Sequence, residues 1–136
     1  FRSENRGLTW FVTDTPLPKG TPGSGIFSIA MHDAKNGVIV GGNYEKPAEA
    51  NNNLAFTTDG GRSWTGGKGL SGYRSAAAFI DAMTIIAVGT NGSDISADGG
   101  RTWKLLGKEN LNSVAAKGKK AVWAVGPGGG ISKLNP

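Results

Sequence analysis

The chain has 136 residues, a formal net charge of +5, 23 glycines, one histidine and no cysteine. This excludes a disulfide framework, thiolate chemistry and a metal site built from His and Cys, and no apolar run is long enough for a membrane-spanning helix. Seven basic side chains and a single acid, Glu109, lie in residues 101–136; that basic third can attract an anionic partner, but without the aromatic-and-basic motif of a known reader no nucleic acid is expected.

In chain order, the first recognisable element is Ser3-Glu4-Asn5-Arg6-Gly7-Leu8-Thr9-Trp10. A stretch rich in Thr, Pro and Gly follows at 13–23. Ser28-Ile29-Ala30 and Val38-Ile39-Val40-Gly41 then read as two short strands joined by Lys35-Asn36-Gly37, good hairpin chemistry. A polar stretch at 43–53 leads to Thr57-Thr58-Asp59-Gly60-Gly61-Arg62-Ser63-Trp64. Two strands come again, Ser75-Ala76-Ala77 and Ile86-Ala87-Val88-Gly89, across the poorer turn Asp81-Ala82-Met83. Asn91-Gly92-Ser93 is formally a glycosylation acceptor, but Asn-Gly between strands reads as a turn. Ser96-Ala97-Asp98-Gly99-Gly100-Arg101-Thr102-Trp103 repeats the Trp-terminated element 39 residues on. Ser113-Val114-Ala115, Lys117-Gly118-Lys119 and Val122-Trp123-Ala124-Val125-Gly126 repeat the strand pair, and Gly130 to Leu134 supplies a further strand.

One repeat is therefore strand a, strand b, strand c, a Trp-terminated turn and strand d. Four short strands in about 40 residues make a propeller blade. The expected fold is all-β, a propeller of four-stranded antiparallel blades, with about three blades in this chain. As one partial domain over 1–136, it divides into the end of a blade at 1–12, blades at 25–66 and 72–106, and an incomplete last blade at 111–136. Missing blades or self-association are needed to close a ring. The chain is expected to be part of a longer propeller, favoured by its opening inside a blade, or to close a six-bladed ring as two copies.

The turn has structural work to do. Asp59 and Asp98, with Asn5 in the first copy, can accept backbone N–H bonds within their own turn. Gly7, Gly61 and Gly100 allow positive φ. Ser3, Thr57 and Ser96 can bond back across the turn, while Thr9, Ser63 and Thr102 precede the tryptophans. Trp10, Trp64 and Trp103 cover the hairpin. The same residues recur in successive blades, whereas an active site is expected once per ring. No catalytic residue, metal ligand or cofactor is expected.

The first full repeat is longer than the second by 15 residues. About six fall in the d–a loop within 13–23 and about nine in the b–c loop within 43–53. Because strands alternate in direction, both loops leave the face opposite the Trp-terminated turns. Long loops on a rigid scaffold often bind partners. Tyr44, Glu45, Lys46 and Glu49 are the expected contacts, with Arg74, at the start of a strand near that face, a lesser one.

Other motifs dissolve on inspection. Gly67-Lys68-Gly69-Leu70-Ser71-Gly72 fits G-x-G-x-x-G but precedes a strand rather than a helix. Asp94 to Gly99 imitates half of a calcium loop, with Leu105 where the closing Glu should stand. His32 has Asp33 beside it, directed to the opposite face of a strand, and lacks a placed nucleophile.

The run Ser-x-Asp-x-Gly-x-Thr-Trp resembles the Asp-box, or BNR, repeat of sialidases and related propellers. The elements Gly25 to Ala30, Gly37 to Gly42, Asp98 to Trp103 and Val122 to Gly126 resemble the bacterial relatives of the photosystem II stability and assembly factor. That resemblance implies a seven-bladed propeller, exported to the periplasm or beyond, acting through protein contacts, with this chain as its C-terminal part. A protein partner is the expectation. The alternatives are a carbohydrate- or peptide-binding module, which makes a glycan the second candidate partner, and a fragment of a sialidase-like hydrolase. Such a hydrolase needs a Tyr nucleophile and three arginines on the substrate carboxylate. Arg6, Arg62 and Arg101 lie in the turns, and Arg2 and Arg74 with Tyr44 and Tyr73 do not complete the set.

Overall fold

The computed structural model describes residues 1–135. Its strands form three antiparallel sheets in which spatial order follows chain order. The first holds β1 (Ser24–Met31), β2 (Gly37–Asn43), β3 (Leu54–Thr57) and β4 (Thr65–Gly66). The second holds β5 (Ala76–Phe79), β6 (Ile85–Gly89), β7 (Gly92–Ser96) and β8 (Lys104–Gly107). The third holds β9 (Ser113–Ala116), β10 (Val122–Val125) and β11 (Ile131–Lys133). Residues 1–12 form a separate small hairpin, closed by pairing of Arg2 with Phe11. The sheets stand side by side as blades of a β-propeller, with the first strands adjacent, β1 beside β5 and β5 beside β9.

The central strand β6 of the second blade is apolar on both sides, because each side meets another blade. Val38 and Val40 of β2 point one way and pack on Ile85 and Ala87 of β6, with Leu54, Leu70 and Trp103 in the same cluster. Ile86 and Val88 point the other way and pack on Val122 and Ala124 of β10. Ile39 faces away from the second blade, with Leu17, Ala55 and Trp64. Period-2 alternation sorts the residues between the two faces, and each fully buried Val or Ile contributes about 1.5–3 kcal/mol.

Glycine stands at or near the end of the central strand in every blade for a steric reason. A Cβ on Gly41 would lie 1.9 Å from the Gly25 carbonyl oxygen, one on Gly89 2.2 Å from that of Tyr73, and one on Gly126 2.4 Å from that of Asn110. The chain entering a first strand passes too close for a side chain. The carbonyls of Gly41 and Gly89 in turn accept backbone N–H bonds from Arg74 and Leu111 of the following blade, at 2.9 and 3.1 Å.

The Trp-terminated turn has one geometry in three places. The Thr57, Ser96 and Ser3 hydroxyls accept from the N–H groups of Gly61, Gly100 and Gly7 at 2.9, 3.0 and 2.7 Å. Oδ1 of Asp59, Asp98 and Asn5 accepts from the N–H of Ser63, Thr102 and Thr9 at 3.0, 2.9 and 2.8 Å. Gly61, Gly100 and Gly7 have φ of 78°, 89° and 88°. Arg6 adopts φ of 59° where Gly60 and Gly99 stand in the other copies, a left-handed conformation that is strained for a side chain with a Cβ. Trp103 and Trp10 donate their indole N–H to the carbonyls of Gly100 and Gly7. The a–b turns carry aspartate caps that the hairpin pattern did not reveal. Asp33 accepts from the N–H groups of Lys35 and Asn36, and Asp81 from those of Met83 and Thr84, so the poorer middle turn is made good by Asp81.

Burial raises the Asp98 carboxyl pKa, but hydrogen bonds from Thr102, Ser96 and Arg101 outweigh it and lower the pKa to about 2. A carboxylate whose folded pKa lies below the unfolded value of about 3.9 stabilises the fold above that value. The contribution is lost as pH falls through the folded pKa.

Two outcomes follow. Gly89→Ala should lower unfolding stability by about 1–3 kcal/mol in urea titration, whereas Gly25→Ala, which meets open space, should stay within about 0.5 kcal/mol. Asp98→Asn should keep the turn as Asn5 does, its amide donating to the Thr102 hydroxyl as that of Asn5 donates to Thr9. The drop in melting temperature between about pH 4 and pH 2 should then be smaller than in the parent, while Asp98→Ala should cost about 1–3 kcal/mol at neutral pH.

Candidate binding face

The two insertions meet on the face opposite the Trp-terminated turns. The Tyr44 N–H donates to the Gly23 carbonyl at 3.1 Å. Gly23 is constrained there, since a Cβ would lie 2.6 Å from Asn43 Oδ1. The b–c insertion is wound on itself, with the Glu45 N–H on Asn43 Oδ1, the Lys46 N–H on the Asn43 carbonyl and the Glu49 N–H on the Lys46 carbonyl. Lys46 and Glu49 pair at 3.4 Å, both largely exposed, which contributes little by itself.

The same insertion is fastened to the next blade. The Pro47 carbonyl accepts from the Tyr73 N–H at 2.9 Å and from the Asn91 side-chain amide at 2.7 Å. The buried Asn53 amide donates to the Gly72 carbonyl. The Asn91 side chain is thus committed on both sides, since its oxygen accepts from Arg74 at 2.8 Å. It serves the turn, as its Asn-Gly context suggests.

Tyr44, Glu45, Lys46 and Glu49 are all exposed on this loop. Arg74 requires a correction. It was expected as a lesser surface contact but is 0 % exposed. Its guanidinium forms an ion pair with the equally buried Asp94 at 2.6 Å and donates to the Tyr73 carbonyl and to Asn91. Asp94 also accepts from the Ser71 N–H and hydroxyl. Burial pushes the Arg74 pKa down, and the Asp94 charge and hydrogen bond oppose it; arginine stays protonated regardless. The physical reason for the misplacement is Asp94 on β7, 20 residues along the chain, which draws the guanidinium inward.

Sequence reasoning missed Phe27. The β1–β2 register shifts between Ile26 and Ser28, and this irregularity brings Phe27 to the rim, 41 % exposed. Its ring meets buried Tyr73 edge-on at 4.9 Å and exposed Tyr44 at 6.0 Å. The adjacent pair Ile26-Phe27 interrupts strict alternation, and this was the available signal. Burial, with a smaller contribution from Tyr44, raises the pKa of Tyr73. The face therefore offers an aromatic ridge flanked by Glu45, Lys46 and Glu49 on a loop held from both sides.

Among the described residues no group of three or more His, Cys, Asp and Glu is placed to hold a metal ion, and no helix is long and apolar enough to cross a membrane. Arg6, Arg62 and Arg101 sit in the turns on the opposite face, Arg62 paired with Glu4 and Arg101 over the Phe56 ring. They do not converge with Tyr44 or Tyr73.

No family model matches the chain, and no curated protein matches it. Among solved structures the chain is similar to one described as YCF48 bound to D1 peptide, with a TM-score of 0.64 and 20% sequence identity. The match covers 88% of this chain and 41% of that one, so this chain spans well under half of that protein's length. The likeness shows a β-propeller fold.

Arg74→Ala should destabilise the chain by about 3–5 kcal/mol, because it leaves Asp94 buried and unpaired. The double variant Arg74→Leu with Asp94→Leu should recover part of that loss in the same denaturant titration. A single variant as stable as the parent would mean that the pair does not exist in solution.

Proposed function

We propose that the chain is part of a non-catalytic, protein-binding propeller scaffold that meets its partner on the face carrying the two insertions. The observation that carries this reading is the b–c insertion, long and exposed yet fastened at Pro47 and Asn53 to the next blade. A loop already held in one conformation loses little entropy on binding. It presents the Tyr44 ring beside Phe27, and exposed aromatic anchors carry a large share of the energy in protein interfaces. Glu45, Lys46 and Glu49 provide a charged rim of both signs around the ridge.

The likeness to a propeller solved with a peptide supports a protein partner. Reading the turns as Asp boxes, and the chain as similar to assembly factors, fits the same picture. In that reading the turns serve only the scaffold, because Asp59 and Asp98 spend their oxygens within their own turns. A glycan is the second reading, favoured by the Phe27–Tyr44 ridge, on which a sugar ring could stack.

Selection of 12-residue peptides displayed on phage against the immobilised chain tests the proposal. Chosen peptides should bind Tyr44→Ala and Phe27→Ala at least about 10-fold more weakly than the parent. The melting temperature of Tyr44→Ala should stay near that of the parent, since Tyr44 is half exposed. Peptides that bind both variants undiminished would place the site elsewhere. Binding confined to a glycan array would favour the second reading, and turnover of a fluorogenic sialoside would overturn the non-catalytic one.

A further inference from the structure

On the face that carries the Trp-terminated turns, a cleft of about 240 Å³ opens where the first blade meets the second. His32, Phe56 and Thr58 line it from the first blade, and Phe79, Met83 and Arg101 from the second. The His32 and Phe79 rings lie 5.4 Å apart. The Arg101 guanidinium stands over the Phe56 ring, 5.4 Å from its centroid. A cation, two phenyl rings and a half-exposed methionine thus face one opening, away from the insertions.

The repeat supplies a precedent for what Arg101 can do there. Arg62 has the same position in the turn before it, and the two guanidinium groups are fixed alike. Nη1 of Arg62 donates to the Asp59 carbonyl at 3.3 Å, and Nη1 of Arg101 to the Asp98 carbonyl at 2.8 Å. Nη2 of Arg62 then crosses to the preceding turn and pairs with the Glu4 carboxylate. Glu4 stands one residue before Asn5, and the residue one before Asp59 is Thr58. The junction that Arg101 spans therefore has a hydroxyl where the other has a carboxylate. Arg2, which shares Glu4 with Arg62, corresponds to Phe56, so a charged neighbour gives way to a ring. Among the described residues no carboxylate pairs with Arg101. Asp33 borders the cleft, but its oxygens accept from Lys35 and Asn36 within its own turn.

We propose that this cleft binds a single carboxylate carried on an apolar body: an acidic side chain set beside an aromatic one, or a free aryl-alkanoic acid. The carboxylate takes the place that Glu4 has at the other junction and accepts from Nη2 of Arg101. The apolar part lies against Phe56, Phe79 and Met83. An exposed ion pair alone contributes little, so the covered rings supply most of the affinity and the arginine selects the charge. The Asp33 carboxylate at the rim repels a second negative charge, which favours a monoanion over a phosphate. The site lies on the face opposite the insertions and is independent of the reading given to them.

Titration of the isotope-labelled chain with hydrocinnamate, followed by the backbone amide resonances, tests it. Saturable shifts should gather at Thr58, Met83 and Arg101, with a dissociation constant on the order of 1 mM. The uncharged hydrocinnamamide and acetate at matched ionic strength should each bind at least about 10-fold more weakly. Arg101→Ala should lose binding. Thr58→Glu should lose it too, because the new carboxylate pairs with Arg101 from within, and this variant should melt at or above the temperature of the parent. A capped Glu-Phe dipeptide that binds more tightly than hydrocinnamate would identify a protein as the source of the carboxylate, and the reverse order a free acid. Hydrocinnamate binding unchanged by Thr58→Glu in a folded chain would overturn the proposal. So would equal binding of the amide, equal binding of acetate, or no saturable shift up to about 20 mM.

Discussion

Every blade in this chain is a thin sheet with two apolar sides, and so must be covered twice. That single constraint organises the rest. It makes the central strands β2 and β6 read as nearly continuous apolar runs, because Val38 and Val40 pack on the next blade while Ile39 faces the other way, onto Leu17, Ala55 and Trp64. It requires the small residue at the end of each central strand, since neighbouring blades can approach only if the incoming chain passes close to Gly41, Gly89 and Gly126. It also explains why the turn tryptophan recurs, for Trp103 fills the widening gap between the outer parts of two sheets that lie closest at β1 and β5.

Polar chemistry is arranged around that packing. The turn carboxylates and hydroxyls satisfy N–H groups that strand pairing leaves over, and do so with side chains two to four residues away. Such local bonds need no partner from another blade and can be copied with the repeat. The Arg74–Asp94 pair is of another kind. It occurs once and is fully buried. It sits beneath the place where the long b–c insertion crosses to the next blade. Asn91 joins the two, accepting from Arg74 on one side and donating to Pro47 on the other. Among the described residues, the long b–c insertion is thus joined through Asn91 to a buried ion pair.

Much of the fold was legible in the sequence because its signals are local and repeated. The turn pattern around Asp59 and Asp98, the strand pairs and the strand-ending glycines all stand at corresponding positions, and copies in register support one another. The sides on which the insertions at 13–23 and 43–53 emerge followed from strand alternation alone. What escaped were effects of long-range pairing. Nothing near Arg74 announces that Asp94 will lie beneath it, and an arginine beside a predicted surface loop reads as solvent-facing. Phe27 was passed over because a shift in strand register redirects a side chain without changing the strand's composition. The Asp33 and Asp81 caps have a different cause: hairpin signals such as Asn-Gly sit at the centre of a turn, whereas these carboxylates cap it from its N-terminal side by accepting backbone N–H groups two and three residues on.

The plain up-and-down order of strands within each sheet bears on how the chain acquires its structure. Each strand pairs with the next one along the chain within its sheet, the longest connection being residues 44–53, so the entropy of loop closure stays small. Contacts of short sequence separation form early and fast. A blade can assemble as soon as its own 35 to 45 or so residues are available, with the Asp33 and Asp81 turns as starting points. Each finished blade then leaves one apolar side as a template for the next. Synthesis from the N-terminal end would lay down the structure in the order in which it is stacked.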